Sequence, residues 1–296
     1  MLRFVHVASA LIIIAAAPLG AQQGRNDSTF TWTKTLPAGT LLTIRNGNGP
    51  ITVREAPGGS DRVEVRAVKL RRSRGSLQDV SFDVRESAEG VEICTLYDDQ
   101  TSCRDRGGSH NVHVTVAYTV LVPHTLRLKI ATGNGEIGIE RAGADVSAAT
   151  GNGRVTIGAT EGQVQVATGN GDVQVEGANG PVSVSTGNGR VYVATARGAV
   201  SATTGNGDID IRIKSLPVER DMHFSSGSGS IRVMLPADYN GRIDATSGNG
   251  NLSSDFEISI VGRLDAHHVR GTIGRGGALI RLSTGSGTIE LRKGAN

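Results

Sequence analysis

Asp208 and Asp210 stand two residues apart in Asp208-Ile209-Asp210-Ile211-Arg212, so an extended chain would put both carboxylates and Arg212 on one face. With Arg190 and Tyr192 one repeat earlier, these are the residue types from which sugar-cleaving enzymes assemble an acid and a base, provided the carboxyls converge at a set separation. Aspartates in an alternating strand also serve as solvated surface charge, and that reading is preferred here. His223 and the pair His267 and His268 fall in irregular segments and match neither a metal-ligand nor a triad spacing. Cys94 and Cys103 flank Tyr97-Asp98-Asp99-Gln100, where a disulfide would close a hairpin loop in an oxidising compartment; free thiols are the other reading. Zinc would require His110 and His113 as further ligands, and Cys-x8-Cys followed by His-x2-His is not a common zinc spacing. The expectation is no catalytic residue, no cofactor and no metal.

The elements that hold these residues follow from repetition. Thr-Gly-Asn-Gly begins at Thr132, Thr150, Thr168, Thr186 and Thr204, a constant period of 18. Variants follow at Ser226, Ser247 and Thr284, and Asn46-Gly47-Asn48-Gly49 precedes them. His268-Val269-Arg270-Gly271 reads as a degenerate copy, and Thr284 to Lys293 as the last coil of the stack. Each unit splits into two halves, as in Thr150 to Gly158 and Ala159 to Ala167, and each half is one short strand and one turn. Gly133, Gly135 and their equivalents suit turn positions with positive φ, which the intervening Asn also tolerates. Asn134, Asn152, Asn170, Asn188 and Asn206 then form a ladder at the turns.

Period-two alternation assigns one inward column to Ile137, Ile139, Val155, Ile157, Val173, Val175, Val191, Val193, Ile209 and Ile211. A facing column takes Val146, Ala148, Val164, Val166, Val182, Val184, Val200 and Ala202. A strand this short buries nothing alone, but coils stacked at the ~4.8 Å strand spacing do. Glu136, Arg154, Asp172, Arg190 and Asp208 alternate in sign at one outward position, as stacked neighbours should. The fold class is therefore all-β: a two-sided β-solenoid of the β-roll or β-helix kind, with 18-residue coils and an irregular β N-terminal part. The expected division is a signal peptide over 1–21, an N-terminal region of broader coils or a small sandwich over 22–130, and solenoid repeats over 131–296.

Bulk properties narrow the function classes. Arg3, the apolar run from Ala8 to Ala17 and the small Ala21 read as a secretory signal, too short to remain as a membrane span. A formal charge of only +3 gives no case for nucleic acid, and Arg71-Arg72-Ser73-Arg74 is short enough for a solvated loop. The calcium β-roll repeat needs an Asp where Thr168 to Glu176 places Val173. An ice-binding Thr array fails because the outward column runs Gly138, Thr156, Gln174, Tyr192, Asp210. Strands of this length are too short for a membrane barrel, which needs ~9–11 residues each.

The serial Thr-Gly-Asn-Gly turns, Val120-Leu121-Val122-Pro123 echoed by Val233-Met234-Leu235-Pro236, and the closing Thr284-Gly285-Ser286-Gly287-Thr288-Ile289 resemble the bacterial β-strand-repeat family of "putative adhesins". The resemblance runs from about Thr40 to Lys293 and implies the fold; it brings no catalytic residues. Together with the export read from the signal-like residues, it implies a non-catalytic binding or structural protein of the cell envelope, with an envelope or surface component, a glycan for example, as partner. A periplasmic scaffold is the alternative, and a polysaccharide-active β-helix enzyme stands behind both.

Overall fold

The computed structural model describes residues 28–71, 76–104, 114–195, 197–215, 220–260 and 267–294. The signal-like segment 1–21, His110 and His113, and most of the run Arg71-Arg72-Ser73-Arg74 lie outside them. Among the described residues no helix is long and apolar enough to cross a membrane.

Two sheets, of 12 and 13 strands, face each other across one apolar core that runs from Phe30 to Leu291. Each coil gives its first strand to the 13-stranded back sheet and its second to the 12-stranded front sheet. In chain order the coils are I (Leu41–Asn48, Ile51–Glu55), II (Arg127–Asn134, Ile137–Ala142), III (Val146–Asn152, Val155–Thr160) and IV (Val164–Asn170, Val173–Ala178). Coils V (Val182–Asn188, Val191–Thr195), VI (Val200–Asn206, Ile209–Ile213) and VII (Met222–Ser228, Ile231–Leu235) continue the stack. Coils VIII (Gly241–Asn249, Leu252–Ser254) and IX (Leu279–Ser286, Ile289–Lys293) complete it. Pairing between coils is parallel and in register, Val155 with Val173 and Val173 with Val191 for example. Every residue of both expected inward columns is buried.

Chain order and spatial order part at two places. After coil I the chain departs at Glu55 and returns at Arg127 to lay coil II directly on coil I, Ile51 opposite Ile137 and Asn48 opposite Asn134. The intervening strands extend the sheets beyond coil I. Val114–Val122 pairs with the second strand of coil I, then Arg62–Arg71 and Thr29–Thr35 add antiparallel; in the back sheet Gly90–Tyr97 and Val80–Glu86 follow. Among the described residues, no break in the core separates this region from the repeats.

At the other end the expectation that Thr284 to Lys293 forms the last coil is corrected. Coil IX lies between coils VII and VIII, with Ile231 opposite Ile289 and Ile289 opposite Leu252. The chain leaves coil VII, skips one position of roughly 4.8 Å, builds coil VIII, and later fills the gap. The reading of His268-Val269-Arg270-Gly271 as a degenerate coil is corrected too: His268–Ile273 runs antiparallel along the free edge of coil VIII. The segment lacks the Gly-x-Gly that a coil turn requires.

Rings gather at the two ends and aliphatics fill the middle. Phe30 stacks on Phe82 at 4.5 Å and Phe82 meets Tyr118 edge-on at 6.2 Å, sealing the first end. Tyr239 and Phe256 do the same at the other, 6.1 Å apart. Solenoid interiors need such caps because a terminal coil has no neighbour to cover its apolar face.

Candidate functional site

The repeated turn is the most regular cluster of polar groups, and its chemistry is internal. The buried Thr150 hydroxyl donates to Gly135 O of the preceding coil at 3.0 Å, and Thr132, Thr186, Thr204, Ser226, Thr284 and Ser247 repeat the bond. The Asn side chains form a running amide ladder: Asn152 Nδ2 donates to Asn134 Oδ1, Asn170 to Asn152, Asn188 to Asn170 and Asn206 to Asn188, each at 2.8 Å. The two glycines differ, which corrects the expectation of positive φ at both. Only the second is left-handed, Gly171 at φ 153° for instance, while the first and the Asn belong to the extended strand. The first glycine is required by close approach: a Cβ on Gly151 would stand 2.5 Å from Gly133 O.

The corresponding turn of coil I, Asn46-Gly47-Asn48-Gly49, is covered by Tyr97. Its ring lies where a Cβ on Gly47 would be, its hydroxyl donates to Asn46 Oδ1 at 3.0 Å, and it accepts the Asn48 backbone N–H at 3.0 Å. Burial pushes the Tyr97 phenol far above its ordinary value, as it does Tyr118, whose hydroxyl is 2.6 Å from Thr95 Oγ1.

Of Asp208 and Asp210, the pair singled out for acid–base chemistry, the first is hydrogen-bonded within the fold, while Asp210 Oδ1 is buried without a hydrogen-bond partner among the described residues. Asp208 Oδ1 accepts the Ser230 N–H at 2.9 Å, tying coil VI to coil VII. Asp210 sits between Tyr192 and Arg232 in the front sheet, with Arg212 Nε 3.5 Å from its Oδ1 and the Arg212 guanidinium 5.3 Å from the Tyr192 ring centre. Arg190 uses its backbone N–H on Asp172 Oδ1 at 2.9 Å. Within the alternating outward charges, Arg154 reaches Asp172 only at 3.9 Å, so that column is tied more by carboxylates on backbone N–H groups than by ion pairs. The same face continues into a balanced network. Glu290 takes Arg232 at 3.0 Å and Arg292 at 3.2 Å, and Arg292 takes Asp255 at 3.1 Å. The Arg232 hydrogen bond holds the Glu290 carboxyl below its usual range, and the Lys293 backbone N–H does so for Asp255.

Cys94 and Cys103 are joined, Sγ–Sγ 2.02 Å, and with Leu96 form a small buried cluster on the outer side of the back sheet. Asp83 lies beside the two sulfurs and accepts the Cys103 N–H at 3.2 Å, but a disulfide offers no thiolate to a metal. His223 stands exposed opposite Arg281, and His268 Nε2 is 2.9 Å from Asp244 Oδ1.

The feature that sequence reasoning missed is a groove of about 400 Å³ at the coil VIII end of the back sheet, lined by Arg242, Asp244, Ser259, Arg270, Thr272 and Arg281 among others. Asp244 accepts from Arg270 Nη2 at 2.9 Å, and Arg281 Nε stands 4.0 Å away. Burial pushes the Asp244 carboxyl up, but hydrogen bonds and charge from His268 and Arg270 outweigh this and hold it below its usual value. These cations are far apart in sequence; only the insertion of coil IX beside coil VIII and the antiparallel return of His268–Ile273 bring them together.

Stacked parallel coils, capped at both ends and laddered at one turn, define a β-solenoid repeat protein. The model of the Toastrack DUF4097 family matches residues 100–292, and the chain belongs to that family. Among solved structures, a "putative adhesin" from Bacteroides fragilis is 14% identical with a TM-score of 0.49, over 89% of this chain and 96% of that one. A "putative adhesin" from Parabacteroides merdae is 10% identical with a TM-score of 0.45, over 90% and 97%. A "putative cell adhesion protein" from Clostridium sporogenes is 11% identical with a TM-score of 0.26, over 90% and 100%. No curated protein matches.

Proposed function

We propose that this chain is an exported, non-catalytic rod that binds a component of the cell envelope or surface through its side faces, as an adhesin does. In this reading 1–21 direct export, 22–130 carry the closed N-terminal end and 131–296 carry most of the rod. The observation behind it is the single core from Phe30 to Leu291, which makes both outer faces rigid arrays at the strand spacing. At ~4.8 Å per strand the 12-stranded sheet is roughly 50 Å long. Non-catalytic binding is supported by the fate of the suspected carboxylates: Asp208 holds a backbone N–H and Asp210 faces Arg212.

Protease treatment of intact cells carrying the tagged protein tests this reading. Digestion on intact cells is the expected result. Protection until the outer envelope is opened would overturn the surface role in favour of an internal scaffold.

A further inference from the structure

The back-sheet groove carries more positive charge than its own structure uses. Among the described residues, Arg242, Arg270 and Arg281 line it against one lining carboxylate, Asp244. Asp221, a carboxylate on the neighbouring coil outside the lining, accepts the Leu279 backbone N–H at 2.8 Å, and even with its charge counted the three guanidiniums leave an excess of positive charge. The front-sheet network differs in kind, since Arg232 and Arg292 there face Glu290 and Asp255 one for one.

Asp244 is 13% exposed and cannot neutralise three guanidiniums: Arg270 gives it one Nη and is itself 73% exposed, while Arg281 at 4.0 Å is 56% exposed. Arg242 spends its Nε on Gly277 O at 3.0 Å, which fixes its stem and leaves its terminal nitrogens for a ligand. Asp244 therefore braces Arg270, Gly277 O braces Arg242, and Arg281 stands beside them without a hydrogen bond to Asp244. Fixed forks with spare donors are the chemistry that grips an oxyanion in two places. Ser259 and Thr272 add hydroxyl groups to the lining, and its volume of about 400 Å³ lies in the range of small-ligand sites.

We propose that this groove binds the anionic group, carboxylate or sulfate, of an acidic saccharide about one to two rings in size. The anionic class rests on the groove alone; the saccharide rests on the envelope-binding reading above. The experiment is calorimetric titration of the purified chain with glucuronate, a sulfated hexosamine, glucose and inorganic sulfate, repeated on Arg270→Gln, Arg281→Gln and, as a front-sheet control, Arg232→Gln. Thermal melts confirm that each variant is folded.

Binding of an acidic sugar but not of glucose, weakened about tenfold or more by Arg270→Gln and by Arg281→Gln and unchanged by Arg232→Gln, is the expected result. No binding of any anion, or equal loss in the control, would overturn the site. Inorganic sulfate binding as tightly as the sugars would overturn the saccharide while keeping the anion. Because the assay uses purified protein, its failure is separate from a failure of the surface role, which only the cell experiment reads.

Discussion

Each residue of Thr-Gly-Asn-Gly meets a different physical demand, and substitutions should cost accordingly. Gly171 has φ 153° and a Cβ there would lie 2.0 Å from Gly153 O, so Gly171→Ala should destabilise by roughly 1–3 kcal/mol or more. Asn170 makes two amide bonds, both exposed to water, and Asn170→Ala should cost only ~0.5–1.5 kcal/mol. A thermal melt in which Asn170→Ala matched or exceeded Gly171→Ala would invert this ranking. Val173 is 1% exposed between coils, so Val173→Asp should lose about 3 kcal/mol or more through an unpaired buried charge. Unchanged melting there would be incompatible with the inward column. The motif and its spacing were legible in the residues because each copy repeats the same side chains. The division of labour between the two glycines was not, since it depends on which carbonyl of the neighbouring coil each one faces.

At the scale of elements, the two irregular ends hold the features that differ from coil to coil. The Cys94–Cys103 bridge pins the loop over the outer side of Gly90–Tyr97, and closing so short a loop contributes about 2–3 kcal/mol in the chain-entropy account. A Cys94→Ser/Cys103→Ser chain should lose amide protection in Gly90–Tyr97 while coils III to VI keep theirs; hydrogen exchange reads both. At the other end Asp244 joins coil VIII to His268–Ile273 through His268 and Arg270. Its folded carboxyl titrates below the unfolded one, so the stabilisation it gives is full above the unfolded value and is lost as pH falls through the folded one. Lowering the pH through the acidic range below about 4 should raise exchange in His268–Ile273 before the middle coils respond. Simultaneous loss of protection in coils III to VI would assign the acid transition elsewhere. The Asp244 cluster could not be placed from alternation alone: Asp244 and Arg281 hold the same repeat position, three residues before Ser247 and Thr284, but they meet only because coil IX lies beside coil VIII, and Arg270 reaches them only through the antiparallel return.

For the whole molecule, the repeat unit predicted the class of fold and the identity of its core, because a single register satisfies the Val columns, the turn ladder and the outward polar positions together. Connectivity was hidden, because parallel in-register pairing is satisfied equally well by any order of similar coils. That degeneracy has a kinetic consequence at coil IX. The first strand of coil VII offers an edge that Ser226 shares natively with Thr284, yet Ser247 of coil VIII, made some forty residues earlier, carries the same turn chemistry. Until coil IX is synthesised, coil VIII is the available partner for that edge, and the native arrangement requires it to yield the place. Folding during synthesis should therefore populate a shorter, mis-ordered stack that must reopen before the chain can finish. A chain ending at Ala278 should trap that state, with coil VIII protected from exchange on the edge that coil IX normally occupies. Similar repeats thus make assembly a competition between early and late segments, in which the order of emergence opposes the order in space.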